Sequence, residues 1–130
     1  MSKKILVVDD DPDILDALTM ILESQGYRVI AVQNCLEALA SLRTEMPDLM
    51  ILDLLMPKMD GFALFKTLRE PEWVDYKDVP ILVLSSVREE ASRRRYELEV
   101  NVELGADDYI EKPFSPDVLL KRVAKLIKKE

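Results

Sequence analysis

Strand-like and helix-like patterns alternate along this chain from end to end, which predicts a doubly wound α/β fold. Short runs such as ILVV and LMIL are apolar without polar alternation, as strands buried on both faces of a parallel sheet are. Between such runs lie stretches whose apolar residues recur at helical spacing. Glycines and prolines fall at the junctions, where they end one element and start the next.

The elements follow in order. The first strand is Lys4 to Val8. Asp11 and Pro12 form an N-cap and first helical position, and Ile14, Leu15, Leu18, Ile21 and Leu22 give the first helix its apolar stripe up to Gly26. Tyr27 to Val32 is the second strand, and Leu36, Leu39 and Leu42 mark a second helix that stops before Pro47. Leu49 to Leu52 is the third strand and runs into Asp53. A loop with Pro57, Asp60 and Gly61 leads to a helix through Phe62, Phe65 and Leu68, which Pro71 breaks. Glu72 to Val79 reads as a polar connection carrying Trp73. Ile81 to Leu84 is the fourth strand, ending in Ser85 and Ser86, and a highly charged helix from about Arg88 runs to Gly105. Tyr109 to Glu111 is a short fifth strand, closed by Lys112 and Pro113. Ser115 and Pro116 cap a last amphipathic helix through Val118, Leu119, Val123, Leu126 and Ile127. This makes five β/α units in one domain spanning residues 1–130, with no repeat or low-complexity tract.

Composition narrows the function. A chain of 130 residues can bury one core without staples. The formal net charge of −7 argues against direct nucleic-acid binding by this domain. With no histidine, Ser-His triads, His-containing zinc sites and imidazole bases are excluded. Only Gly26, Gly61 and Gly105 are present, so there is no glycine-rich phosphate loop. Cys35 is the single cysteine, which rules out an internal disulfide and fits a reducing, cytoplasmic setting. No apolar stretch is long enough to span a bilayer, and Lys3 and Lys4 lead straight into a strand rather than a signal peptide.

The chemistry lies at the strand ends, where open parallel sheets place their functional groups. The first strand delivers Asp9 and Asp10, the third Asp53, the fourth Ser85 and the fifth Lys112. At ~4 Å and an effective dielectric near 20, each carboxylate pair would repel by ~4 kcal/mol. A cation or a shifted pKa must offset that. All-oxygen ligands select Mg²⁺ or Mn²⁺, which keeps waters and takes phosphoryl oxygens in its other positions. A hydroxyl and an ammonium beside it suit the remaining phosphoryl oxygens, and an aspartate can itself accept the group as an acyl phosphate.

Four segments, ILVVDDDP, PDLMILDLLMPKMDG, VPILVLSS and GADDYIEKPF, occur in order and carry these positions at the strand ends. Together they resemble the response-regulator receiver domain of two-component signalling, over essentially the whole chain. The resemblance implies a flavodoxin-like sheet of order 2-1-3-4-5 with five helices. It implies Asp53 as phosphoacceptor, Asp10 as direct metal ligand, Asp9 as an acid acting largely through metal-bound water, and the backbone carbonyl of Leu55 as a further ligand. Ser85 then matches the switch hydroxyl, Lys112 the phosphate-binding lysine, Lys112-Pro113 the usual cis peptide, and Tyr109 the aromatic that swings between rotamers. Mg²⁺ or Mn²⁺ is the implied cofactor, and a sensor histidine kinase or histidine phosphotransfer protein the implied donor. The face of the fourth helix, fifth strand and fifth helix is the implied place of a homodimer or output contact. Such a domain catalyses only its own phosphorylation and dephosphorylation.

Plainer roles fit other residues. Asp11 and Asp13 read as helix-terminal charges, Asp60 as a turn residue, and Asp107 and Asp108 as loop residues before the last strand. The segment from Ser85 to Gly105 is longer than is usual in the family and carries Arg93, Arg94 and Arg95, which are expected either to bind an acidic partner or to form a solvated face. Leu55 and Val87, each two residues past a site residue, would hinder the hydrolytic water and lengthen the life of a phosphoryl group. Two rivals stand beside this reading. A magnesium-dependent aspartyl-phosphate phosphohydrolase lacks its Asp-x-Asp pattern around Asp53, and a receiver-like interaction module that is never phosphorylated would leave the acids and Lys112 without use.

Overall fold

The apolar runs pair into a five-stranded, wholly parallel sheet of order β2-β1-β3-β4-β5. The computed structural model describes residues 2–53, 61–86, 91, 94, 95, 97, 98 and 105–128. The strands are β1 (Lys4–Val8), β2 (Arg28–Val32), β3 (Leu49–Asp53), β4 (Ile81–Ser85) and β5 (Asp108–Glu111). The helices are α1 (Pro12–Glu23), α2 (Cys35–Glu45), α3 (Gly61–Leu68) and α5 (Pro116–Lys128). Between α3 and α5, residues 91, 94, 95, 97 and 98 are helical and define α4.

Side chains alternate across the strands and so feed two core layers. Leu6, Val8, Met50, Leu52, Ile81 and Val83 face α2 and α3. Ile5, Val7, Leu49, Ile51, Leu82 and Leu84 face α1 and α5. All five residues of β3 and of β4 are buried, as central strands covered on both faces require. Each fully buried Leu or Ile contributes roughly 1.5–3 kcal/mol of transfer free energy, so these two strands anchor the domain.

The caps behave as their chemistry dictates. Asp11 caps α1 by accepting the Asp13 N–H at 2.9 Å, with Pro12 at the first helical position. Asn34 caps α2 through the Glu37 N–H at 2.9 Å, and Ser115 Oγ accepts the Val118 N–H at 3.2 Å ahead of α5. The chain after α1 turns at Gly26, whose φ of +84° a side chain would strain. The peptide between Lys112 and Pro113 is cis.

Several sequence expectations need correction. The buried stripe of α2 is Cys35, Ala38 and Leu42, while Leu36 is 71% exposed. Small residues bring this helix close to the sheet, and a reading based on leucines alone misplaces the stripe. Val118 is likewise 42% exposed, leaving Leu119, Val123, Leu126 and Ile127 as the buried face of α5. The polar connection after α3 folds into a 3-10 helix, Pro71–Tyr76, and buries Trp73 against the α2–α3 layer. Arg43 of α2 lies 4.2 Å over the indole ring. Asp108 belongs to β5, whereas Asp107 precedes it and bonds reciprocally with Ile81 at the start of β4.

Candidate functional site

Strand register assembles the site. Val8 of β1 pairs with Leu52 of β3, so the next residues, Asp9 and Asp53, emerge side by side. Asp53 pairs with Leu84 of β4, which sets Ser85 one step further out. Ser85 pairs with Glu111 of β5, and the Lys112 N–H donates to the Ser85 carbonyl at 2.7 Å. Four adjacent strands thus deliver Asp9, Asp53, Ser85 and Lys112 to one end of the sheet.

The three carboxylates converge. Asp9, Asp10 and Asp53 each offer an oxygen within 4.8 Å of the others. Asp9 is 1% exposed and Asp53 6%, while Asp10 is open to solvent. Lys112 Nζ reaches Asp53 Oδ1 at 3.3 Å and supplies a cation to the cluster. Ser85 is fully buried at the end of β4. Tyr109 of β5 is half-buried against the α2–α3 layer.

Burial pushes the Asp9 carboxyl up from 3.8 to about 6, and the nearby Asp53 and Asp10 charges add to the rise. The Asp11 N–H, donating to Asp9 Oδ1 at 3.0 Å, and the Lys112 ammonium pull the other way without reversing it. Asp9 Oδ2 is the buried side-chain polar atom that lacks a hydrogen-bond partner among the described residues. A desolvated oxygen with no donor, beside two more carboxylates, is a position suited to a hard cation. The donor set, oxygen alone with neither nitrogen nor sulfur, fits Mg²⁺ or Mn²⁺.

The structure therefore brings together Asp9, Asp10, Asp53, Ser85 and Lys112. Leu55, Val87, Asp60 and Arg93 lie outside the described residues. Arg94 and Arg95 are exposed on α4. Read from the sequence, Asp11 is an N-cap and a helix-terminal charge, and its amide bond to Asp9 goes unseen. A cap two residues after a strand-end acid is the signal that would have found it. A separate cleft of about 370 Å³, lined by Phe65, Leu68, Val74, Tyr76 and Val79 among others, opens at the other end of β4, near Ile81.

A parallel 2-1-3-4-5 sheet with acids at the ends of β1 and β3 and a lysine after β5 has the arrangement that the sequence resemblance to signalling receiver domains implies. The model of the response regulator receiver domain family matches residues 5–124, and the chain belongs to that family. It is 42% identical over 129 residues to the alkaline phosphatase synthesis transcriptional regulatory protein PhoP of Bacillus subtilis, covering 99% of this chain and 50% of that protein. A putative response regulator from Chloroflexus aurantiacus superposes with a TM-score of 0.81 at 32% identity, covering 98% of this chain and 99% of that one. The signal receiver domain of a signal transduction histidine kinase from Syntrophus aciditrophicus gives a TM-score of 0.82 at 36% identity, covering 98% and 92%. The chain spans about half the length of the curated relatives it matches.

Proposed function

We propose that Asp53 is the phosphoacceptor of this receiver domain and that the acid cluster works with Mg²⁺ to load it. The observation that carries this reading is the placement of Asp53. It is a nearly buried carboxylate at the end of a central strand, with Asp9 and Asp10 on one side and the Lys112 ammonium 3.3 Å away on the other.

Asp9 and Asp10, with Asp53, would hold the cation, and the Leu55 carbonyl is the further ligand that the family resemblance supplies. When bound at these carboxylates, Mg²⁺ would supply positive charge against the phosphoryl oxygens. An oxygen of Asp53 forms the new O–P bond while the P–N bond of a phosphohistidine donor breaks, and the departing imidazole keeps the bonding electrons and takes a proton. Lys112 stays close enough to transfer its attraction from the Asp53 carboxylate to the phosphoryl oxygens. Ser85, one register step beyond Asp53, would donate its hydroxyl to the phosphoryl group. That draws the β4 end inward, and Tyr109 on the neighbouring strand shifts with it, so the change is a population shift driven by local charge.

The donor on this reading is a sensor histidine kinase or a histidine phosphotransfer protein, and the α4–β5–α5 face carries the output contact or a homodimer. The domain turns over only its own aspartyl phosphate. Arg94 and Arg95, both exposed, would meet an acidic surface on such a partner. Incubation with a small acyl phosphate and Mg²⁺ tests the reading. Intact-mass measurement should show one added phosphoryl group, lost in Asp53→Asn and suppressed by chelation. Unchanged labelling of Asp53→Asn would overturn the assignment, and turnover of a small phosphate ester would favour the phosphohydrolase instead.

A further inference from the structure

Asp11 stands outside the acid cluster but reaches it through its backbone. Its N–H donates to Asp9 Oδ1 at 3.0 Å, while Asp9 Oδ2 is buried without a hydrogen-bond partner among the described residues. One oxygen of the Asp9 carboxylate is thus tied back to the start of α1, and the other has no such tie, in a carboxylate that itself belongs to the cluster. The same residue is the N-cap of α1. Its φ of −94° and ψ of 110° are extended, its Oδ1 accepts the Asp13 N–H at 2.9 Å, and its carbonyl accepts the Leu15 N–H at 3.1 Å. Pro12, next in the chain, has its φ fixed by its ring. The cap therefore sets the orientation of the Asp11 peptide, and that peptide sets the direction of the N–H that Asp9 accepts.

Resting on the magnesium reading above, we propose that Asp11 is a positioning residue for the metal cluster, holding the Asp9 carboxylate in its binding rotamer by capping α1. Its own carboxylate is not a ligand in this scheme, because it is exposed and turned to the helix amide. The partners that orient a ligand commonly matter about 10- to 100-fold in metal affinity. Here the hydrogen bond to Asp9 comes from the backbone and would be loosened rather than deleted, so the lower end applies.

Magnesium titrations of the full chain near neutral pH, comparing wild type with Asp11→Ala, Asp11→Asn and Asp11→Ser, test this. All three variants lose the same charge, but Asn and Ser cap helices well and Ala does not. The expected result is a dissociation constant about tenfold weaker for Asp11→Ala than for Asp11→Asn, with Asp11→Ser within about twofold of Asn. Equal affinities for Ala and Asn, whether wild-type or weakened alike, would overturn the proposal and leave charge alone as the explanation. Wild type that takes up no Mg²⁺ would instead overturn the reading on which the proposal rests. Amide exchange at residue 11 adds a readout that general destabilisation does not mimic. Measured against the β1 amides, protection should persist in the Asn variant and fall in the Ala variant, and equal protection in both counts against the proposal.

Discussion

Asp9 is a carboxylate whose proton the fold holds more tightly than the unfolded chain does. Its pKa rises from 3.8 to about 6, chiefly through burial. Between those values unfolding releases a proton, so stability falls as pH rises through that window and levels off above it. For metal-free protein, Asp9→Asn should remove this slope and add up to about 3 kcal/mol at pH 7, with no gain near pH 4. Urea unfolding in the presence of a chelator reads both ends of the window, and a gain equal at the two pH values would refute it. Met46, at the end of α2, is strained differently. Its φ of 48° and ψ of 61° are left-handed, a conformation that suits glycine. Replacing it with Gly should raise stability by about 0.5–1 kcal/mol, since left-handed strain of roughly 1–2 kcal/mol outweighs the added chain entropy. Its side chain is 62% exposed and gives up little packing.

At the level of elements, the Trp73 contact separates packing from charge. The indole is 6% exposed in the 3-10 helix, and Arg43 reaches it from α2. Trp73→Ala should destabilise by about 3–5 kcal/mol, as large-to-small core changes do. Arg43→Ala should lose only about 0.5–1 kcal/mol, the usual worth of an exposed cation over a ring. Circular dichroism during urea unfolding measures both, and losses of similar size would show that the arginine does more than cover the ring. This element also marks where the sequence stopped being legible. All five strands could be read to within a residue or so, β1, β3 and β4 because their continuous apolar runs have few alternatives in an α/β chain, and β2 and β5 because β-branched or aromatic residues follow the turns at Gly26 and Gly105. The site residues were legible because each ends one of those runs. The 3-10 helix has too few turns to show a period, and Glu72 and Asp75 interrupt its apolar residues. Small Cys35 and Ala38 were overlooked beside Leu36 because closeness of a helix to a sheet does not appear as hydrophobicity. The Asp11–Asp9 bond depends on backbone direction, to which only the spacing of a cap two residues after a strand-end acid points.

For the whole molecule, the candidate site exists only when the sheet does, since its groups come from β1, β3, β4 and β5. A ligand of the acid cluster must therefore stabilise the entire domain. Mg²⁺ at ten times its dissociation constant would add about 1.4 kcal/mol, which should raise the melting temperature by a few degrees. The shift should be clear at pH 7 and smaller at pH 5, where Asp9 largely keeps its proton and competes with the ion. Differential scanning calorimetry at the two pH values checks this, and equal shifts would place the ion elsewhere. The single tryptophan has a further use. It reports from the α2–α3 side of the sheet, whereas α1 and α5 cover the opposite side and contain no indole. Its emission is thus a one-sided optical sensor. Followed beside the backbone signal, it would reveal whether the two coats of the sheet come off together or in turn.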